Sequence, residues 1–149
     1  MTIPPPECHQ IAEVIFMRYS NDLPPCDQLI ALYANAGWCT YPNAPDQLLR
    51  AVENSLQVVT AWEGDELIGL ARAVGDGETI LYIQDVIVHS NYHHVGVGTQ
   101  LMAMLMSAFP DVRQVVLLAD DSPATADFYA GLGFCRAEDK GCVSYMQLR

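Results

Sequence analysis

The stretch Val86-Ile87-Val88-His89-Ser90-Asn91-Tyr92-His93-His94-Val95-Gly96-Val97-Gly98-Thr99 decides how this chain is read. Apolar β-branched residues run up to Val88, polar residues and two glycines follow, and an apolar helical pattern then begins. The pattern predicts a strand that passes through a glycine-bearing loop into a helix over Gly98–Phe109, stopped by Pro110. Gly96 and Gly98 carry no Cβ, so the backbone there can approach a ligand closely and take positive φ. The first-turn N–H groups of the helix lack intrahelical acceptors and stand at the positive end of its dipole. Such a turn cradles a phosphate with main-chain donors. The chain has one lysine, Lys140, far from this loop, so an anionic ligand would have to be held by amides.

The elements around this segment indicate the sheet. Upstream, Leu56–Trp62 and Leu67–Val74 are β-rich runs joined by Glu63-Gly64-Asp65-Glu66, and Gly75-Asp76-Gly77 leads into a third run over Thr79–Val88. Three strands joined by tight turns predict an antiparallel meander. Downstream, Arg113–Ala119 reads as a strand whose Val-Val-Leu-Leu core is buried on both faces. With the helix between them, the last two strands form a parallel pair with a right-handed crossover. Pro123 opens a short helix through Leu132, and Phe134–Arg136 with Cys142–Leu148 close the chain as one interrupted strand or two. At the other end, Ile11–Tyr19 reads as a strand, Cys26–Ala36 as a helix, and Gln47–Asn54 as a helix capped by Asp46. Residues 1–10, with Pro4, Pro5 and Pro6, form an extended lead-in.

Composition bounds the function. The 149 residues allow one domain, and 51% hydrophobic against 17% charged residues supply a core rather than a disordered chain. No run approaches the about 18 apolar residues of a membrane span, and no basic-then-apolar leader is visible, so a cytoplasmic protein is expected. Seven basic and 18 acidic residues leave a net charge of −11, which disfavours nucleic acid and anionic membranes. Five cysteines at irregular spacing give neither a disulfide framework nor a zinc site.

Three readings of the glycine loop stand beside one another. The glycines relieve crowding in a plain strand-to-helix connection, or they belong to a dinucleotide site, or they take their meaning from the sequence that surrounds them. The dinucleotide pattern wants a third glycine or alanine where Leu101 stands, although Asp120 falls near the position of a ribose-binding carboxylate.

The segment His93-His94-Val95-Gly96-Val97-Gly98 resembles the Q/R-x-x-G-x-G/A signature of the GCN5-related N-acetyltransferase superfamily. Ala126-Asp127-Phe128-Tyr129-Ala130-Gly131-Leu132-Gly133-Phe134 is similar to its second signature, a tyrosine ahead of Gly-Phe. The likeness covers residues 56–136. Asn54-Ser55, Ile68–Ala73 and Gln84-Asp85-Val86 are similar to the plant-type arylalkylamine acetyltransferases and their bacterial relatives. The resemblance implies an α/β fold with a central mixed sheet of six or seven strands, splayed after Val88, in a single acetyltransferase domain over 1–149. It implies acetyl-CoA as acyl donor and a small primary amine as acceptor attacking directly; no metal is expected, because loop histidines spaced like His89, His93 and His94 rarely converge on one ion. A non-catalytic acyl-CoA-binding module and a dinucleotide-binding domain are the alternatives.

Residue by residue, the resemblance implies that Val86 and Val88 pair with the donor's pantetheine arm and that a backbone N–H near Val86 stabilises the developing oxyanion. It places His93, His94, Val95, Gly96, Val97, Gly98 and Thr99 at the pyrophosphate and Ser122 at the arm, with serine where the family often has asparagine. His93 replaces the family's glutamine or arginine. Tyr129 is expected to protonate the departing thiolate. Asp85, alternating with Ile83 and Ile87 on an apolar strand, is expected either to take the amine's proton or to make a structural hydrogen bond, and Gln84 ranks below it. Tyr33, Trp38 and Tyr41 are expected to wall the acceptor side. Exposed sheet edges make a homodimer an open expectation.

Overall fold

The computed structural model describes residues 16–38 and 44–149. Five strands form one sheet in the order β1-β2-β3-β4-β5. These are β1 (Met17–Ser20), β2 (Gln57–Glu63), β3 (Glu66–Gly75), β4 (Ile80–Val88) and β5 (Gln114–Leu117). The first four are antiparallel and β5 runs parallel to β4, which gives the mixed sheet expected from the meander and crossover. Four helices flank it: α1 (Cys26–Asn35), α2 (Pro45–Glu53), α3 (Val97–Ser107) and α4 (Pro123–Gly131).

Each sheet face has its own core. Leu29, Leu32 and Tyr33 of α1, with Leu48 and Val52 of α2, pack on Val58, Trp62, Leu67, Leu70 and Ile87. On the opposite face, Val97, Leu101, Met102 and Leu105 of α3 cover Val59, Ala61, Ala71, Ala73, Leu81 and Ile83. The α3 apolar stripe therefore anchors the helix whose first turn carries the glycine loop. Burying four such side chains contributes on the order of 1.5–3 kcal/mol each, so the loop rests on a rigid support.

Two local devices shape the sheet for a ligand. In the β3–β4 ladder Ala73 pairs with Ile83 and Arg72 with Asp85, so Gln84 is the extra residue of a β-bulge. A bulge bends its strand and raises its twist. β4 then pairs with β5 only through Ile80–Ile83 against Gln114–Leu117, and its second half stands apart from β5. This is the splay anticipated from the sequence.

Some boundaries and two expectations change. Of the strand predicted over 11–19, β1 takes Met17–Ser20, and residues 11–15 lie outside the described residues. α2 is capped at Ala44, with Pro45 opening it and Asp46 inside the first turn, so Asp46 meets the helix dipole instead of capping. The described residues hold five strands, not six or seven, because neither Phe134–Arg136 nor Cys142–Leu148 joins the sheet. Gly133, at φ 89°, folds Phe134 back onto Tyr129, and Ala137–Lys140 forms a 3-10 turn. Val115, Val116 and Leu117 of β5 are half-buried, where burial on both faces was expected.

Candidate active site

The gap between β4 and β5 opens into a cleft of about 980 Å³. Gln84, Val86 and Val88 of β4 form one wall, and Leu117–Asp120 with Ala124, Thr125, Phe128 and Tyr129 of the α4 region form the other. His93, His94, Gly96, Val97, Gly98 and Thr99 close one end, and Trp38 also lines the cleft. Asp120 is the one carboxylate among these lining residues, and no lysine or arginine lines the cleft.

The glycine loop takes the shape its sequence demands. Gly96 caps α3 at φ 88°, in the left-handed region, and open space surrounds the position a Cβ would take. It offers no side-chain acceptor, so the N–H groups of Val97, Gly98 and Thr99 carry no side-chain cap. His94 also has positive φ, 64°, a conformation that costs a non-glycine residue about 1–2 kcal/mol and so is held by its surroundings. At Gly98 a Cβ would make ordinary van der Waals contact with the Phe128 ring at 3.4 Å and Val88 at 3.7 Å, so only a larger side chain would press on Phe128. Val95 is exposed and does not line the cleft.

The histidines are separately engaged. His89 Nδ1 accepts the Asn91 N–H at 3.1 Å, holding the turn after β4. His93 Nε2 lies 2.8 Å from the Val88 carbonyl. A side chain thus occupies one of the β4 main-chain groups expected to face the cofactor arm. Ser122 caps α4, accepting the Thr125 N–H at 3.2 Å, and does not line the cleft.

Tyr129 does line it. Its ring stands edge-on between Phe128 at 5.0 Å and Phe134 at 5.8 Å. The N–H of Phe134 reaches back to the Tyr129 carbonyl at 3.0 Å, and Gly133 at φ 89° makes that turn, which brings the Phe134 ring to Tyr129. Burial pushes the phenol above its usual pKa, so it keeps its proton at neutral pH. Its hydroxyl has no hydrogen-bond partner among the described residues and is free for a ligand.

Asp85 lies elsewhere. The bulge at Gln84 reverses the alternation, so Asp85 shares a face with Ile87 and not with Ile83. It is buried under α1, bonded through Oδ2 to the Arg72 Nε and to the Tyr33 hydroxyl, and it does not line the cleft. The bulge residue Gln84 faces the cleft instead. Tyr33 is likewise a core residue, Trp38 does reach the cleft, and Tyr41 lies outside the described residues. The sequence analysis did not assign Tyr92, Leu117, Leu118, Phe128 or Met146 to the cleft. Only tertiary packing shows which half-buried or exposed apolar residues border a gap.

The geometry defines a class first: an α/β protein with a splayed sheet, an amide cradle and a proton-bearing phenol along one cleft. The chain matches the acetyltransferase (GNAT) domain family over residues 31–147, and it belongs to that family. It is 30% identical over 119 residues to the uncharacterized N-acetyltransferase ycf52 of Gracilaria tenuistipitata var. liui, covering 74% of this chain and 63% of that protein. It is 33% identical over 120 residues to the histone acetyltransferase TAP1 of Glycine max, covering 71% of this chain and 50% of that one. The chain thus spans between half and two thirds of the length of these relatives. A GNAT-family acetyltransferase of Streptococcus pneumoniae superposes with a TM-score of 0.79 at 27% identity, over 90% of this chain and 97% of that one.

Proposed function

We propose that this protein is an acetyl-CoA-dependent N-acetyltransferase acting on a small primary amine. The observation that carries the reading is a proton-bearing phenol and an uncapped helix N-terminus at one splayed cleft. The residues present fit the donor, since its phosphates are anions and the cleft offers main-chain N–H groups in a place without lysine or arginine. Acetyl-CoA, when bound, supplies an activated thioester acyl group. Val97, Gly98 and Thr99 hold its phosphates through their amides, with His94 and Gly96 setting the loop. The main chain of β4 beyond the bulge, at Val86 and Val88, is unpaired with β5 and would hold the donor's arm as a neighbouring strand would, with the Val86 N–H as the donor that would face its thioester carbonyl. His93, already on the Val88 carbonyl, helps fix that strand end. Tyr129 gives its proton to the leaving sulfur.

Asp85 acts in this reading as a brace, because it lies under α1 away from the cleft with its Oδ2 shared by Arg72 and Tyr33, while its buried Oδ1 has no hydrogen-bond partner among the described residues. The attacking amine therefore loses its proton to solvent water, and the carboxamide of Gln84, which is no base, is placed in the cleft to hydrogen-bond the amine or that water. Trp38 offers an aromatic wall for the acceptor, and the net charge of −11 with Asp120 in the cleft favours a cationic amine over an anionic one.

The experiment is a panel of amine acceptors followed by thiol release from acetyl-CoA, with thermal shift by acetyl-CoA and NAD alongside. Arylalkylamines or aliphatic diamines should react faster than amino acids with free carboxylates. Stabilisation by acetyl-CoA without release from any amine would favour a binding module, and stabilisation by NAD alone a dinucleotide site.

A further inference from the structure

Two carboxamides strap α1 to the sheet. Gln28 and Asn35 lie two helical turns apart, so they project from the same side of α1. Gln28 donates from Nε2 to the Asp65 carbonyl at 3.0 Å and accepts the Leu67 N–H through Oε1 at 3.1 Å, which holds the β2–β3 turn. Asn35 makes a similar fork at the other end of the helix. Its Nδ2 donates to Ser90 Oγ at 3.1 Å, and its Oδ1 accepts the Ser90 N–H at 2.9 Å. The first clamp holds a hairpin tip. The second holds the point where β4 leaves the sheet for the glycine loop.

Little else orients that exit. The His89 N–H on the Ile68 carbonyl, at 2.8 Å, is the last main-chain bond to the β3 side. Beyond it the bonds are internal: the Asn91 N–H on His89 Nδ1, the Tyr92 N–H on the His89 carbonyl, and His93 Nε2 against the Val88 carbonyl. Internal bonds set the shape of a turn but not its orientation on the protein. Tyr92 packs against the α3-side core, whereas Ser90, Asn91, His93, His94 and Val95 are exposed. Between α1 and this turn lies a second cavity of about 230 Å³, lined by Asn35, Trp38, Ile87, Ser90 and His93 among others. Among the described residues, Asn35 is the one side chain from outside the segment 88–95 that hydrogen-bonds to it.

We infer that Asn35 is a positioning residue for the donor site, orienting through Ser90 the segment that carries β4 into the amide cradle. The inference rests on the reading of that cradle as the place of the acetyl-CoA phosphates. Asn35 itself does not line the cleft. The apolar stripe of α3 anchors the far side of the cradle, and its near side, His93 to Gly96, hangs from the clamped turn. Hydrogen bonds weaken steeply as their angles depart from linear, so a small rotation of that side lowers donor affinity. Val86 and Tyr129 lie outside the turn, so turnover with donor bound is spared.

The test is calorimetric titration of the full chain with acetyl-CoA, with saturation kinetics and urea unfolding alongside. Asn35→Leu keeps the bulk and removes both bonds. It should raise the acetyl-CoA Kd by about threefold to tenfold. Its kcat at saturating donor should stay within about twofold. Ser90→Ala keeps the main-chain bond and should fall between the two. Asn35→Asp can accept both the Ser90 N–H and its hydroxyl proton, so it should restore affinity in a salt-screened buffer. Gln28→Leu removes a similar clamp from the same helix; it should lower stability about as much as Asn35→Leu and leave the Kd unchanged. Asn35 and Ser90 are exposed, so the fold should persist in their variants. An unchanged Kd in Asn35→Leu, an equal rise in Gln28→Leu, or no recovery in Asn35→Asp would each overturn the inference while the functional reading stands. An unaltered chain that binds no acetyl-CoA would overturn both.

Discussion

The Tyr33 hydroxyl of α1 donates a hydrogen bond to Asp85 Oδ2 of β4 at 2.5 Å, across 52 positions of sequence. The same oxygen accepts the Arg72 Nε, and Arg72 also donates to Ser55 Oγ at 3.3 Å. Burial and the adjacent carboxylate both push the Tyr33 phenol upward, and it stays protonated. Burial pulls the Arg72 pKa down, but the Asp85 charge and hydrogen bond outweigh it and the net shift is upward. This network ties α1 to the β4 bulge beside the cleft.

Replacing Asp85 with asparagine should therefore destabilise the fold by about 3–5 kcal/mol, the cost of leaving a buried partner charge alone. Urea unfolding measures that loss. Turnover per folded molecule should stay within about threefold, a change of under 1 kcal/mol in barrier. A base at this position would instead show a large loss of kcat with stability intact.

Tyr129→Phe should lower kcat by about tenfold or more while acetyl-CoA affinity stays near that of the unaltered protein, because the ring packing between Phe128 and Phe134 survives. The pH dependence has a definite sign. Burial raises the phenol's pKa, so the proton-donating form is fully present below the ordinary tyrosine value of about 10 and is lost only as pH rises through the raised one. The alkaline fall in kcat should lie above about pH 10 and be missing from the phenylalanine variant.

The two loop glycines should fail differently. Gly96→Ala meets no neighbour but must hold φ at 88°, a strain of about 1–2 kcal/mol that should weaken acetyl-CoA binding with kcat little changed. Gly98→Val should push on Phe128, which packs against Tyr129, and so lower kcat as well as affinity. Calorimetric titration and saturation kinetics separate the two patterns.

Ionic strength probes the acceptor's charge. If attraction of a cationic amine to the negative protein contributes, kcat/KM for a diamine should fall as salt rises, while a neutral amine shows little change. Steady-state rates at fixed, saturating acetyl-CoA provide the measurement.

The elements that border the cleft were legible because their signals are local, while the acetyltransferase fold and the splay came from the resemblance of two short motifs. Strand periodicity, the Gly96–Gly98 turn and the Pro123–Gly133 stretch each act through backbone geometry within about ten residues, and they place β4, α3 and α4. Tertiary structure decided what depends on register and on distant partners. One inserted residue at Gln84 exchanged the faces of the strand, turning Asp85 into the core and Gln84 toward the cleft. No pattern of apolar residues marks such a bulge, because its location follows from how β3 and β4 pair. Likewise the stretch 142–148 has the composition of a strand, but a strand needs an edge to bond to, and none among the described residues receives it.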